Sequence, residues 1–276
     1  MQGPVYRLRR IPLPRTPLNR RQVEPRYASV VELYDPINTP KPVGEDLWVV
    51  DGPLARMSFA GISEPFPTRM VVIRISGGDL FLWSPTEPDE GLRKEVDALG
   101  PVSHLVSPNK LHYVHVCAWK RAYPEATAWA SPGVKERAAS RGAEVCFDRD
   151  LVDEPEEAWR EDVDQLIFRG GRFMEEVVFF HHKTRTLILA DFIQNFEVEK
   201  VGGFFYAWLL RLAGVADPDG KTPLEVRLTF LGRKEEARVS LEEMLAWRPE
   251  KVIMAHGRPY YRDGMAELRR AFRWLR

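Results

Sequence analysis

The 276-residue sequence predicts a layered α/β domain, on three observations. Two β-hairpin patterns stand out, Arg69–Ser76 with Asp79–Ser84 and Glu176–His181 with Thr186–Ala190. Helix-period stretches near 197–214, 235–247 and 261–275 follow, with an apolar strand at Lys251–Ala255 between the last two. A composition of 44% hydrophobic and 29% charged residues suits a soluble chain that buries a core rather than a disordered one. Strands first, then strands mixed with helices, make layers rather than a bundle.

Residues 1–45 are expected to form an extension, and 46–276 the domain. Pro4, Pro12, Pro14, Pro17, Pro25, Pro36, Pro40 and Pro42 exclude regular helix and central strand from the first segment. Arg7, Arg9, Arg10, Arg15, Arg20, Arg21 and Arg26 make it basic. From Asp46 the texture changes: residues 47–52 read as a short strand ending in a turn at Asp51-Gly52. The first hairpin, with Gly77-Gly78 at its turn, comes next. Leu92, Val96 and Leu99 mark a helix over 88–99. A strand at 104–107, a helical stretch to Tyr123, a strand at 126–130, a charged helix at 133–141 and a strand at 163–168 complete the first part.

Forty basic residues balance forty acidic ones, so the net charge gives no ground for nucleic acid or an acidic membrane as the main partner. The longest apolar run, Val201–Ala216, is broken by Arg211 and falls short of the ~20 residues of a spanning helix. Phe204-Phe205-Tyr206 and Trp208, with Leu209, Leu210 and Leu212, fit a core face or a homodimer contact near 203–212. Cys117 and Cys146 lack metal-ligand spacing and sit beside apolar residues, which predicts two buried thiols and a reducing compartment. With no apolar leader at the start, a cytoplasmic location is expected.

Chemistry gathers where strands end. His104–Asn109 runs into Lys110-Leu111-His112-Tyr113-Val114-His115; Leu187–Ala190 ends at Asp191; Val252–Ala255 ends at His256-Gly257. Ends of neighbouring strands converge on one edge, where α/β folds place their sites. Imidazole and carboxylate are ligands for zinc, iron or manganese, and Gly257 permits a close backbone approach. His181 and His182 point to opposite faces of one strand, so at most one can face a site. His104 starts its strand, away from the ligand-bearing end, and reads as structural.

These residues, in this order, resemble the metallo-β-lactamase superfamily. The hairpin into Asp191 is similar to that superfamily's hairpin into its bridging aspartate, and Val252–Pro259 to its last ligand strand. Ser107-Pro108-Asn109-Lys110-Leu111-His112, Trp119, Tyr123-Pro124-Glu125-Ala126 and Glu176–His181 resemble, more closely, the family of unknown function DUF4336. The resemblance implies an αββα sandwich, two mixed sheets packed between helices. It also exposes departures. The superfamily's His-x-His-x-Asp-His motif is not intact: one register sets Lys110, His112, Val114 and His115 on it, another Pro108, Lys110, His112 and Tyr113. The middle histidine is replaced by the stretch Arg172–Glu176, where a carboxylate can substitute.

The ligand set implied is His112, Asp191 and His256, with Glu176 and His115 next. A bound metal would supply hydroxide near neutral pH, with Asp191 orienting it or bridging to a second ion and Glu176, or an unliganded imidazole, as general acid or base. A metal-dependent hydrolase of unknown substrate, zinc-loaded or with iron or manganese, is one expectation. A metal-free relative that keeps the fold as a binding module is the other. An RNA-associated role rests on the basic extension alone.

Overall fold

The computed structural model describes residues 32–59, 62–201 and 204–276. Its strands are β1 (Lys41–Gly44), β2 (Leu47–Phe59), β3 (Ile62–Arg74), β4 (Leu80–Trp83), β5 (Val102–Ser107), β6 (Thr127–Ala130), β7 (Arg149–Asp150), β8 (Val163–Phe168), β9 (Glu176–His181), β10 (Thr186–Leu189) and β11 (Lys251–Met254). The helices are α1 (Glu90–Asp97), α2 (Val116–Ala122), α3 (Val134–Ser140), α4 (Phe204–Ala213), α5 (Leu224–Leu228), α6 (Lys234–Ala246) and α7 (Gly264–Ala271).

Two mixed sheets result. The first runs β1-β2-β3-β4-β5-β6-β7, antiparallel as far as β4 and parallel beyond it. The second runs β11-β10-β9-β8, with β10 and β11 parallel and the other pairs antiparallel. Strand periodicity explains how both faces are covered. On β3, Val71 and Ile73 face inward while Met70 and Val72 face outward; on β9, Val177 and Phe179 face inward and Val178 outward. The inward sets of both sheets share one core with Phe81, Trp83, Trp129 and Trp159. The outer face of the first sheet packs on α1 and α2 through Leu92, Val96, Val116 and Trp119, and that of the second on α6 and α7 through Met244 and Leu268. Each fully buried aliphatic or Phe side chain contributes about 1.5–3 kcal/mol, so this interior is large enough to carry a polar cluster at its rim.

Local signals match. Asp89 caps α1, its carboxylate accepting from the Leu92 N–H at 2.7 Å. Glycine at 257 is required: its φ is +86°, and a Cβ there would meet the Asn195 backbone oxygen at 2.1 Å. That close approach forms a bridge between Asn195 and Gly257.

Four expectations need correction. The strand expected at 47–52 does not stop at Asp51-Gly52: β2 continues to Phe59, and the register slips by one residue between Asp51 and Leu54. Pro53 cannot donate to the ladder, so the chain bulges there rather than turning. The irregular extension ends early, because Lys41–Gly44 pair with β2 as an edge strand. Residues 1–31, and with them the seven arginines, lie outside the described residues. The helix expected over 197–214 is a 3-10 turn at Val198–Lys200 followed by α4.

The cysteines are not buried thiols. Cys117 on α2 and Cys146 form a disulfide, with Cα atoms 5.5 Å apart. Val116 lies in the core, Cys146 and Phe147 pack against it, and both cysteines are half-buried. The pairing removes the ground for expecting a reducing compartment. Among the described residues no helix is long and apolar enough to cross a membrane.

Candidate metal centre

Asn109 is the hub of the strand-end cluster. It follows β5, is fully buried, and uses all its side-chain hydrogen-bonding capacity. Its Oδ1 accepts from the Leu111 N–H at 2.8 Å, which bends the chain so that His112 returns over the sheet edge. Its Nδ2 donates to Glu176 Oε2 at 2.9 Å and to Asp191 Oδ2 at 2.8 Å. Glu176, the first residue of β9, also accepts from the Ala190 N–H at 2.7 Å and the Asp191 N–H at 2.8 Å. Asp191, just past β10, is thus gripped at both backbone and carboxylate.

Two imidazoles close on the other side of Asp191. His112 Nε2 lies 3.2 Å from Asp191 Oδ2, and His256 Nε2 lies 3.4 Å from Asp191 Oδ1. One donor atom from each residue falls within 4.8 Å of the others. His256 follows β11, and its Nδ1 sits 2.9 Å from the Pro67 carbonyl on β3. A carbonyl only accepts, so Nδ1 carries a proton and Nε2 is the nitrogen turned to the cluster. Nε2 faces a carboxylate oxygen, a pairing that a cation shared between them, a metal ion or a proton, would satisfy. Neither Nε2 has a hydrogen-bond partner, although both are buried. The 3.2 and 3.4 Å approaches to Asp191 are therefore close in distance but not aligned as hydrogen bonds. Ser84 Oγ, 2.8 Å from His112 Nδ1, and the Pro67 carbonyl orient the rings from behind, as partners of metal-ligating histidines do.

The end of β11 in the second sheet is clasped to the first sheet by Arg69. Its Nη1 donates to the Met254 and Gly257 carbonyls at 2.8 and 2.6 Å, and its Nε to Asp51 at 2.8 Å. Burial alone would raise the Asp191 carboxyl, but the His112 and His256 imidazoles outweigh it and hold the group well below the usual carboxylate range. Burial, then the charge of Asp191, push the Glu176 carboxyl up to about 8, against the pull of the N–H groups it accepts from.

Of the five expected ligands, His112, Asp191 and His256 come together. Glu176 does not join them: both its oxygens are taken up behind Asp191, which makes it a support for that residue. His115 begins α2 and lines the cavity above the cluster without entering it. His181 is remote, bonded through Nδ1 to Thr184 Oγ1 at 2.8 Å, and His182 pairs with Asp164. His104 is buried among Phe81, Trp129 and Trp159. Sequence reasoning did not single out Asn109, Ser84, Pro67 or Arg69. The one signal available was Asn109 itself, a turn-forming amide placed right after an apolar strand and a proline.

This sandwich is the metallo-β-lactamase fold. Solved structures that share it include a metallo-β-lactamase from Hirschia baltica, with a TM-score of 0.55 and 16% identity over 90% of this chain and 98% of that one. Another, from Erythrobacter litoralis, gives a TM-score of 0.57 and 12% identity over 88% and 99% of the two chains. The DIM-1 metallo-β-lactamase exposed to ceftazidime gives 0.56 and 14%, over 89% and 97%. Within that fold the chain belongs to the DUF4336 family, a domain of unknown function whose family model matches residues 59–202. No curated protein matches the sequence.

Proposed function

We propose that this protein is a metal-dependent hydrolase holding one divalent ion on His112, Asp191 and His256. The observation that carries the reading is the pair of buried, unpartnered Nε2 atoms facing one carboxylate, with the His256 tautomer fixed by the Pro67 carbonyl. Two imidazoles and one carboxylate suit zinc first, with iron or manganese also acceptable to such a set. Three protein ligands leave a position open, as hydrolytic sites require, and the cluster borders a cavity of about 290 Å³. An ion bound there would act as a Lewis acid and make hydroxide available near neutral pH.

The chain's own residues supply the rest. Asn109 and Glu176 fix the Asp191 carboxylate, and Ser84 and Pro67 fix the planes of the two rings. Phe66, Leu111 and Val114 give the cavity apolar walls. A non-catalytic role as a binding module is the alternative, and the outer face of α4 favours it, since Phe204 and Leu212 are exposed there. Elemental analysis by mass spectrometry, on protein purified without a His-tag or added metal, separates the two. About one equivalent of zinc, iron or manganese is the expected result and justifies a hydrolase substrate screen. No metal, even after incubation with each ion, removes the hydrolase reading.

A further inference from the structure

The cavity above the cluster carries positive charge that the proposed metal site does not use. Besides His112 and His256 it is lined by Arg137, in the last turn of α3, and by Arg141, which follows that helix. Among the described residues no carboxylate lines it. Other cations of α2 and α3 are each matched: Lys135 with Asp150 at 2.6 Å, Lys120 with Asp148 at 2.8 Å, and Arg121 with Glu144. Arg137 and Arg141 have no ion-pair or side-chain hydrogen-bond partner among the described residues. Like charges four residues apart repel. Lys110, two residues before His112, rests 4.1 Å from the centre of the Phe173 ring rather than on a carboxylate.

We propose that Arg137 and Arg141 bind an anionic group of the substrate, a carboxylate or a phosphoryl group, while Phe66, Pro85, Leu111 and Val114 take its apolar body. The proposal rests on the metal-site reading only for what happens to that substrate, not for its binding. Guanidinium forks match the paired oxygens of either anion. A cavity of about 290 Å³ restricts the occupant to a small molecule. The Cys117–Cys146 disulfide fastens the segment after Arg141 to α2, so the arginine end of the cavity is held in place before any ligand arrives.

Calorimetric titration of the full chain with benzoate, phenyl phosphate and neutral benzamide tests this, before and after chelator treatment, with metal content measured on each sample. At least one anion should bind about tenfold or more tighter than benzamide, in both samples. The double variant R137Q/R141Q should cut that preference to about twofold or less, while R137K/R141K, which keeps the charge, retains part of it. Tighter binding of benzoate assigns a carboxylate substrate, and tighter binding of phenyl phosphate a phosphoryl one. An arginine-dependent preference in a protein that takes up no metal supports the anion site and rejects the hydrolase reading alone. A preference that R137Q/R141Q leaves unchanged, one that vanishes with the metal, or no binding of either anion overturns the proposal.

Discussion

Four of the chain's histidines are enclosed by the sandwich, and they fall into two pairs. His104 and His181 turn their Nδ1 atoms to neutral partners, the Trp129 indole N–H at 3.2 Å and the Thr184 hydroxyl at 2.8 Å. Burial pushes both down to about 4, so they stay uncharged. His112 and His256 have partners behind them too, but their Nε2 atoms converge on Asp191. Burial is common to both pairs; the facing carboxylate is not. A histidine inside a fold is thus read by what its second nitrogen meets.

Substitution breaks or upholds that contrast most directly. Asp191→Ala and His256→Ala should each lose nearly all bound metal by elemental analysis while the far-UV circular dichroism is kept. His104→Ala should keep its metal and lose about 2–4 kcal/mol of stability to the cavity among Trp129, Trp159 and Phe81. If Asp191→Ala and His256→Ala retain a full equivalent, the contrast between the pairs has no chemical meaning.

Acid should act through the first pair. With folded values of about 4 against 6.5 in the unfolded chain, His104 and His181 take up protons on unfolding. Stability contributed by their neutral state is present above pH 6.5 and lost as pH falls toward 4, by about 3 kcal/mol for each. Chemical denaturation at a series of pH values, on chelated protein, measures it. A flat profile between those limits would show the two rings are not held neutral.

Smaller effects sharpen the second pair. Asn109→Ala removes the amide shared by Glu176 and Asp191 and should weaken metal affinity about 10- to 100-fold, read by competition with a chromophoric chelator. Ser84→Ala frees only the Nδ1 side of His112, and a loss of roughly a few-fold is expected in the same assay. Equal losses in the two variants would mean that the carboxylate needs no more support than the ring.

What the sequence made legible follows from the range of the forces involved. Strand alternation and helix spacing are local, so β3 with β4, β9 with β10, and β11 were readable, as was convergence of His112, Asp191 and His256 at strand ends. Gly257 was readable as a close approach because a missing Cβ has one geometric use there. The roles of Glu176 and Asn109 were not, because which carboxylate faces the cavity and which lies behind depends on pairing between β5 and β9 regions 67 residues apart. The disulfide was hidden for the same reason: 29 residues separate the two cysteines, and only the packing of α2 brings them together. The bulge at Asp51 looked like a turn because Gly-Pro favours both.

The Arg69 clasp gives the centre a place in the order of folding. It spans 185 residues to reach the Met254 carbonyl, and His256 is set only when β11 has docked against β10 under that clasp. Contacts of such long sequence separation close a large loop and are slow to form. A chain emerging from the ribosome carries His112 and Asp191 well before His256 exists, so tight uptake of the proposed ion would be delayed until the last strand arrives. In the proposed site, metal retention would then certify completed assembly, and a truncated or misdocked copy would be marked by its inability to keep the ion.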